Sequence, residues 1–500
     1  MMTSHDSTAG ILQRPYLLAT AGACALVFLA AFESMAVTTI MPLVSRELDG
    51  AGLYALAFAG PLATGVIGMV AAGNWADRRG PSAPLYASVA LFAAGLLIAG
   101  TAVSMPMLVA GRMVQGLGGG AMTVALYVVI ARVYPARLHA QVFAAFSAAW
   151  VIPSMIGPFA AGVVAQLSSW HWVFLGVVGL VVPALAMILP AMRGVQSTPD
   201  AREAAPREAG SPKTGSPKTA AGETKPEGAD VPWAFGRMGW AALAALAVLG
   251  LNLSGQVPGV GWVIAAVALV TAMLAVRPLV PGGTLGAHRG LPSVILMRGV
   301  ASAAFFGTEV YVPYLLTERY TFTPAFAGLA LTGSAIAWAA ASAVQGRMGS
   351  RLGNALAVRI GSALVLGSVV IVLVTTVFSW PAAVAIAGWL FAGAGMGLMY
   401  PRLSVMTLAL SKHEDQGFNS SAMSIADSLG GALSLAVTGL VFSALTTTAA
   451  SFAGVFALTS TIAVVGLIIA PRVAVRQPLG AESAGDSEAH RAAEADDVRA

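Results

Sequence analysis

Gly73-Asn74-Trp75-Ala76-Asp77-Arg78-Arg79-Gly80 separates two apolar runs, roughly Leu53 to Ala72 and Leu85 to Val103. Each run is long enough to cross a hydrocarbon layer, which takes ~20 residues of helix. The stretch between them reads as a short charged turn, bracketed by glycines that permit a tight reversal. Asp77, Arg78 and Arg79 leave one net positive charge, which favours the cytoplasmic side of a membrane.

Composition extends this reading to the whole chain. Hydrophobic residues make up 57% and charged residues 10%, against about 25% charged in a soluble domain. The mean hydropathy is +0.80. These values describe an all-α polytopic membrane protein. Cys24 is the single cysteine, so no disulfide forms within the chain. The net charge of +5 belongs to cytoplasmic loops, and nucleic acid is not an expected partner. The first apolar run is too long for a signal-peptide core and lacks a clear cleavage pattern.

Length and hydropathy predict fourteen spans. Six run roughly 16–41, 53–72, 85–103, 107–131, 141–165 and 172–191, forming a first bundle over 1–192. Residues 193–237 are rich in Pro, Gly, Lys and Glu, a composition that cannot bury a core and reads as a disordered cytoplasmic linker. Two further spans, 238–254 and 259–276, occupy 238–277. A second bundle over 278–472 holds spans near 291–316, 325–346, 355–378, 382–401, 418–445 and 452–471. The tail, 473–500, is polar and acidic and reads as disordered. With the N-terminus inside, external connections carry only Arg46 and Arg319, while Arg78, Arg79, Arg132, Arg277, Arg347, Arg351 and Lys412 fall inside with the remaining loop cations. That asymmetry requires an even number of spans and two cytoplasmic termini. Abundant alanine and glycine with scarce lysine point to a bacterial plasma membrane protein.

The opening stretch has an echo at Gly346-Arg347-Met348-Gly349-Ser350-Arg351-Leu352-Gly353. Both follow the frame Gly-x-x-x-polar-Arg-x-Gly and both join apolar runs. Either alone is an ordinary glycine-rich loop. As a pair in matching halves they indicate an internal repeat, the way many transporters are built.

Gly73-x-x-x-Asp77-Arg78-x-Gly80 resembles the signature loop between the second and third spans of the major facilitator superfamily, although Pro81 and Ser82 stand where the family continues with basic residues. The resemblance covers nearly the whole chain and implies two six-helix bundles. Six, two and six spans resemble the fourteen-span drug:proton antiporter branch, with an inserted pair in a packing or lipid-facing role.

Few charges lie inside the apolar runs: Glu33, Arg112, Glu309 and Asp427, with Arg298 and Arg402 nearer the cytoplasmic ends. A charge within hydrocarbon costs at least ~2.5–3.5 kcal/mol and implies a partner, a water cavity or a function. Glu33 and Arg112 lie at similar depths, so a pair is geometrically possible. Arg112-x-x-Gln115-Gly116-x-Gly118 resembles the family's fourth-span motif, whose arginine is associated with proton coupling. Dryness favours the neutral acid and a neighbouring guanidinium favours the carboxylate, so movement between two such settings transfers protons. Glu309 lies roughly opposite Glu33 in the repeat. Asp427, in the inner half of its span, is a further proton candidate, with a hydrogen bond to a neighbouring helix as the plain alternative.

Gly157-Pro158-x-x-Ala161-Gly162 resembles the family's antiporter motif, with alanine in place of one glycine. Proline removes a helix hydrogen bond and glycine admits a neighbouring helix, which fits either a packing kink or a hinge. Gln115, Trp150, Tyr311, Tyr314, Trp338 and Trp389 are candidate substrate contacts, with Met396 and Met399 beside them. Each aromatic alone more often packs or faces lipid.

No Walker A sequence, His-Glu-x-x-His or Gly-x-Ser-x-Gly occurs, and the histidines are scattered. The expectation is therefore a non-enzyme without cofactor or metal. Its partners are protons, the bilayer and a small-molecule substrate, and it acts as a monomer. The leading function is a proton-driven exporter of amphipathic or hydrophobic molecules. A same-fold importer or lipid transporter, and a non-transporting sensor or scaffold, are the rivals.

Overall fold

The computed structural model describes residues 10–14, 16–197, 235–257, 259–348, 351–412 and 415–474; of some helical residues, Asp77 among them, it describes the backbone alone. The first half contains α1 (Leu17–Glu47), α2 (Leu56–Arg79), α3 (Ser82–Gly100), α4 (Met105–Val133), α5 (Ala136–Leu167) and α6 (His171–Ser197). The inserted pair is α7 (Phe235–Ser254) and α8 (Gly261–Val276). The second half contains α9 (Leu291–Glu309), α10 (Tyr311–Tyr320), α11 (Pro324–Met348), α12 (Asn354–Phe378), α13 (Ala382–Ala409), α14 (Gln416–Ala444) and α15 (Thr448–Ile469). Fourteen segments are long and apolar enough to cross a membrane, α9 and α10 together forming one of them. The break between these two follows from Pro313, which cannot donate to the Glu309 carbonyl one turn earlier.

The internal repeat is visible in the packing. In the first half α1 packs on α5 and α6, α2 on α4, and α3 on α4 and α6. In the second half α9 packs on α14 and α15, α11 on α13, and α12 on α13 and α15. The pattern is the same, helix for helix. The halves meet along two seams, α2 with α14 and α5 with α11, which the repeat exchanges. The inserted pair breaks this symmetry: α7 lies against α2 and α14, along one seam, and α8 packs mainly on α7. Trp262, Val267, Val270 and Leu274 of α8 remain exposed on the bundle surface, as suits a lipid-facing helix.

Helix axes approach closely where glycine removes a side chain. A Cβ on Gly116 of α4 would stand 2.3 Å from the Pro61 Cα of α2, and one on Gly162 of α5 2.5 Å from the Ala325 Cα of α11. These small residues take the role that bulky apolar contacts play in a soluble core.

The structure corrects three expectations about helix ends. Gly73 to Arg79 is not a turn: α2 runs through it and ends at Gly80, whose φ of 80° makes the reversal alone. The charged residues ride the last turns of a helix that outruns its apolar stretch. In the echo, α11 likewise continues through Gly346, Arg347 and Met348, while Gly349 and Ser350 lie outside the described residues. The span expected near 418–445 begins earlier, because α14 starts at Gln416. The linker and the tail lie outside the described residues apart from their ends, where α6 reaches Ser197, α7 begins at Phe235 and the last described residue is Ala474.

An even number of crossings returns α15 to the face at which α1 begins. That face, which also carries Gly80, is called the terminal face below. The face carrying Arg46 and Glu318 is the far face.

Candidate functional site

Arg112 and Glu33 form a buried ion pair between Arg112 Nη1 and Glu33 Oε1, with side chains 6% and 2% exposed. Gln115, one turn beyond Arg112 on α4, closes a triangle. Its Oε1 accepts from Arg112 Nη1 at 2.8 Å and its Nε2 donates to Glu33 Oε2 at 2.9 Å. The fourth partner comes from the backbone. Arg112 Nε donates to the Ala57 carbonyl at 3.2 Å. Pro61 stands one turn after Ala57 in α2 and has no N–H to give it. The proline thus frees a carbonyl, and the glycine at 116 lets α4 come close enough for Arg112 to use it. Thr64 adds a bond to the Met113 carbonyl at 2.7 Å across the same helix pair.

The second half holds its own pair. Arg298 Nε on α9 donates to Asp427 Oδ1 on α14 at 3.1 Å, and the side chains are 17% and 26% exposed. Tyr400 on α13 donates its hydroxyl to the same Oδ1 at 2.8 Å, and the guanidinium sits 3.5 Å from the centre of the Tyr400 ring. Ser302 donates to the Asp427 backbone carbonyl at 2.7 Å. Tyr127, on α4 of the first half, is close enough to feel the charge of Arg298. The pair is thus less enclosed than the Glu33–Arg112 pair. Asp427 has both an ionic and a hydrogen-bonding partner, more than the single bond expected as the plain alternative.

Glu309 is the third buried carboxylate, 7% exposed at the end of α9. Among the described residues its side chain has no ion-pair or hydrogen-bond partner. The next residues close the far face. Tyr54, two residues before α2, donates its hydroxyl to the Val310 carbonyl at 2.9 Å and stacks on Tyr314 with ring centres 4.5 Å apart. Tyr311 and Tyr314 each lie against Phe442, which meets Phe452 at 5.1 Å. Arg46 and Glu318 make an exposed ion pair above them at 3.5 Å.

Of the motif residues, Gly73 faces Val124 of α4 and Gly80 makes the reversal between α2 and α3. Asp77 is helical, and its side chain lies outside the described residues; Arg78 is half-buried beside it. Gly157 faces Phe32 of α1, whereas Pro158 and Gly162 face Gly328 and Ala325 of α11 at the α5 seam.

The six candidate substrate contacts do not converge on one pocket. Gln115 is committed to Glu33 and Arg112. Tyr311 and Tyr314 belong to the far-face cluster. Trp338 and Trp389 flank Phe305 at 5.5 and 5.1 Å, and Trp338 also meets Tyr400 at 5.2 Å. Trp150 is apart from these, 46% exposed on α5. Met396 and Met399 are buried in α13, with Met399 against Gly361 of α12. Sequence reasoning missed Tyr54, Pro61 and the partnership of Arg298 and Tyr400 with Asp427. A proline four residues after a carbonyl is a sequence signal for an open acceptor, and Pro61 carried it; the others require contacts between distant segments.

Two repeat-related helical bundles, each with its own ion pair at membrane depth, fit a membrane transporter rather than an enzyme. The profile of the Major Facilitator Superfamily matches residues 23–307 and 294–495, and the chain belongs to that superfamily. A protein of Mycobacterium tuberculosis named "probable multidrug-efflux transporter" is 27% identical over 422 residues, covering 81% of this chain and 83% of its own. An MFS efflux transporter of Aspergillus oryzae is 34% identical over 170 residues, 33% of this chain and 31% of its own. A solved POT family transporter in complex with 5-aminolevulinic acid aligns with a TM-score of 0.63 at 13% identity, over 91% of this chain and 97% of that one. This last likeness concerns the fold alone.

Proposed function

We propose that this protein is a proton-driven exporter of amphipathic or hydrophobic small molecules, drugs among them, working by alternating access as a monomer in a bacterial plasma membrane. The observation that carries the reading is the closed Glu33–Arg112–Gln115 cluster, a carboxylate at membrane depth whose partners are all identified. The efflux names of the relatives support the direction of transport. The concentration of cations at the terminal face supports a cytoplasmic location for both termini.

In this reading the far face is external and closed by the Tyr54 cluster, and the Arg298–Asp427 pair lies toward the cytoplasm. A proton arriving at Glu33 removes the charge that holds Arg112 Nη1. Arg112 then keeps Gln115 Oε1 and the Ala57 carbonyl, while Gln115 Nε2 loses its ionic acceptor. Because α1, α2 and α4 meet at this point, a change of partner there bears on the helices that form the α2–α14 seam. Loss of the proton restores the pair.

The test is transport by purified protein in liposomes under an imposed pH gradient. The wild type moves a hydrophobic dye against the proton gradient, and Glu33→Gln does not. Dye movement that ignores the gradient in both proteins would end the proton-coupled reading.

A further inference from the structure

We infer that Arg298 is a specificity-determining residue: it occupies, as a tethered cation, the partly exposed Asp427 carboxylate within the second half, so that the protein takes neutral aromatic molecules in preference to monocations. The inference rests on the proposed transport of hydrophobic molecules and adds what kind of molecule is refused.

An aromatic cation bound inside a protein needs two things, a carboxylate for its charge and a ring face for its π-system. The α9–α13–α14 site has both, in Asp427 and Tyr400. Arg298 already uses both. Its Nε donates to Asp427 Oδ1 at 3.1 Å, its Nη2 reaches Oδ2 at 3.5 Å, and its planar guanidinium covers the Tyr400 ring at 3.5 Å. Nη1 reaches the Tyr400 backbone carbonyl at 3.4 Å. The guanidinium is itself a planar delocalised cation, and it fits the site as an external one would.

The other carboxylates at depth offer no replacement. Glu33 is held by Arg112 and Gln115 in a cluster almost closed to the outside. Glu309 is buried near the far-face seal. A monocation that takes Asp427 must displace Arg298, leaving a guanidinium that cannot shed its proton without a counter-ion at membrane depth. A neutral aromatic meets a site of zero net charge, with Trp338 packed edge-on to Tyr400 at 5.2 Å, and displaces nothing.

The test measures binding to purified full-length protein in nanodiscs, with ethidium as the planar monocation and N-phenylnaphthylamine as the neutral aromatic. The wild type is expected to favour the neutral probe. Arg298→Gln should shift the affinity ratio at least tenfold toward ethidium. Arg298→Lys should shift it less, because the charge stays. In Arg298→Gln/Asp427→Asn the gain should vanish. An unchanged ratio in Arg298→Gln overturns the inference. If Arg298→Gln does not fold, Arg298→Lys carries the test: its ammonium cannot cover the Tyr400 ring as the planar guanidinium does, so the ratio should still move toward ethidium, by a smaller factor. An unchanged ratio in Arg298→Lys then overturns the inference. A protein that binds both probes as expected but moves neither in liposomes refutes the transport reading instead.

Discussion

Pro61 of α2 opens the backbone carbonyl that Arg112 of α4 binds. The carbonyl belongs to Ala57, whose helical donor would be the residue at 61, and Arg112 Nε takes the vacant place at 3.2 Å. The second half shows the same device with the helices exchanged. Pro401 of α13 leaves the Gly397 carbonyl without its donor, and Ser342 of α11 supplies a hydroxyl at 3.0 Å. In each half a proline converts a helix defect into a bond between two packed helices, α2 with α4 and α11 with α13, pairs that correspond in the repeat. Only in the first half is the donor a charge.

Pro61→Ala restores an N–H to compete with Arg112 for the Ala57 carbonyl. Removing an interior proline favours the helix, by up to ~3 kcal/mol on propensity alone. The expected outcome is a protein at least as stable to heat as the wild type but with gradient-driven dye export reduced about tenfold. Parallel measurement of thermal unfolding and liposome transport checks it. Full transport in a stabilised variant would show that the Ala57 contact does not position Arg112.

Glu33→Gln keeps a side chain of the same shape, able to bond Gln115, and removes the titrating group. Gradient-driven export should vanish while membrane insertion and monodispersity persist. Arg112→Ala leaves a carboxylate 2% exposed with Gln115 as its remaining partner. That carboxylate can take up a proton, whereas the guanidinium left by Glu33→Gln cannot lose one. Breaking a buried pair from one side costs about 3–5 kcal/mol where the other charge stays ionised. Arg112→Ala should therefore lose transport but no more thermal stability than Glu33→Gln does. A larger loss of stability in Arg112→Ala would contradict this ordering.

How much of this was legible beforehand follows from what each feature depends on. The fourteen spans and the repeat are properties of composition and local frame, and the structure contains both. The proximity of Glu33 and Arg112 follows from depth, because two charges at the same level of a bundle gain by meeting. Depth says nothing about azimuth. Arg298 read as a residue near a helix end, yet it turns inward to Asp427 and Tyr400. Tyr54 has nothing in its local sequence to mark it, and its bond to Val310 depends on a break in a helix more than 250 residues away. The Gly73 to Gly80 stretch misled in the other direction, since charge and glycine mark the membrane boundary and not the end of the helix.

Gly162→Val tests the α5–α11 seam. A Cβ there would lie 2.5 Å from the Ala325 Cα and 2.6 Å from its backbone nitrogen, so the helices must part. Transport should fall at least tenfold, and a spin-label pair placed on α5 and α11 near the far face should report a longer distance. The substitution Gly157→Val provides the contrast, because Gly157 faces the Phe32 ring on α1 at 3.4 Å, not α11. It should leave the α5–α11 distance unchanged. Equal lengthening in both would mean that α5 distorts as a whole and the seam is not specific to Gly162.

Tyr54→Phe tests the far-face seal. The substitution deletes the hydroxyl that reaches the Val310 carbonyl and keeps the ring that stacks on Tyr314. A hydrogen bond of this kind contributes about 0.5–1.5 kcal/mol. If it exists only while the halves are closed at this face, its loss shifts the population toward the opened form by a factor of roughly 2–12 at the rate of tenfold per 1.4 kcal/mol. A reporter thiol measures the shift. With Cys24 replaced by alanine, Thr317→Cys places a cysteine in α10, where the native threonine is 4% exposed. Its labelling by a membrane-impermeant maleimide should quicken several-fold when Tyr54→Phe is added. Arg46→Gln is the comparison. It breaks an ion pair at the same face, but Arg46 is 51% exposed, and exposed pairs contribute about 0–1 kcal/mol. Its effect on labelling should be smaller than that of Tyr54→Phe and should fade as salt is raised. If Arg46→Gln accelerates labelling more than Tyr54→Phe does, the outer ion pair holds the far face shut and the tyrosine cluster merely fills space beneath it.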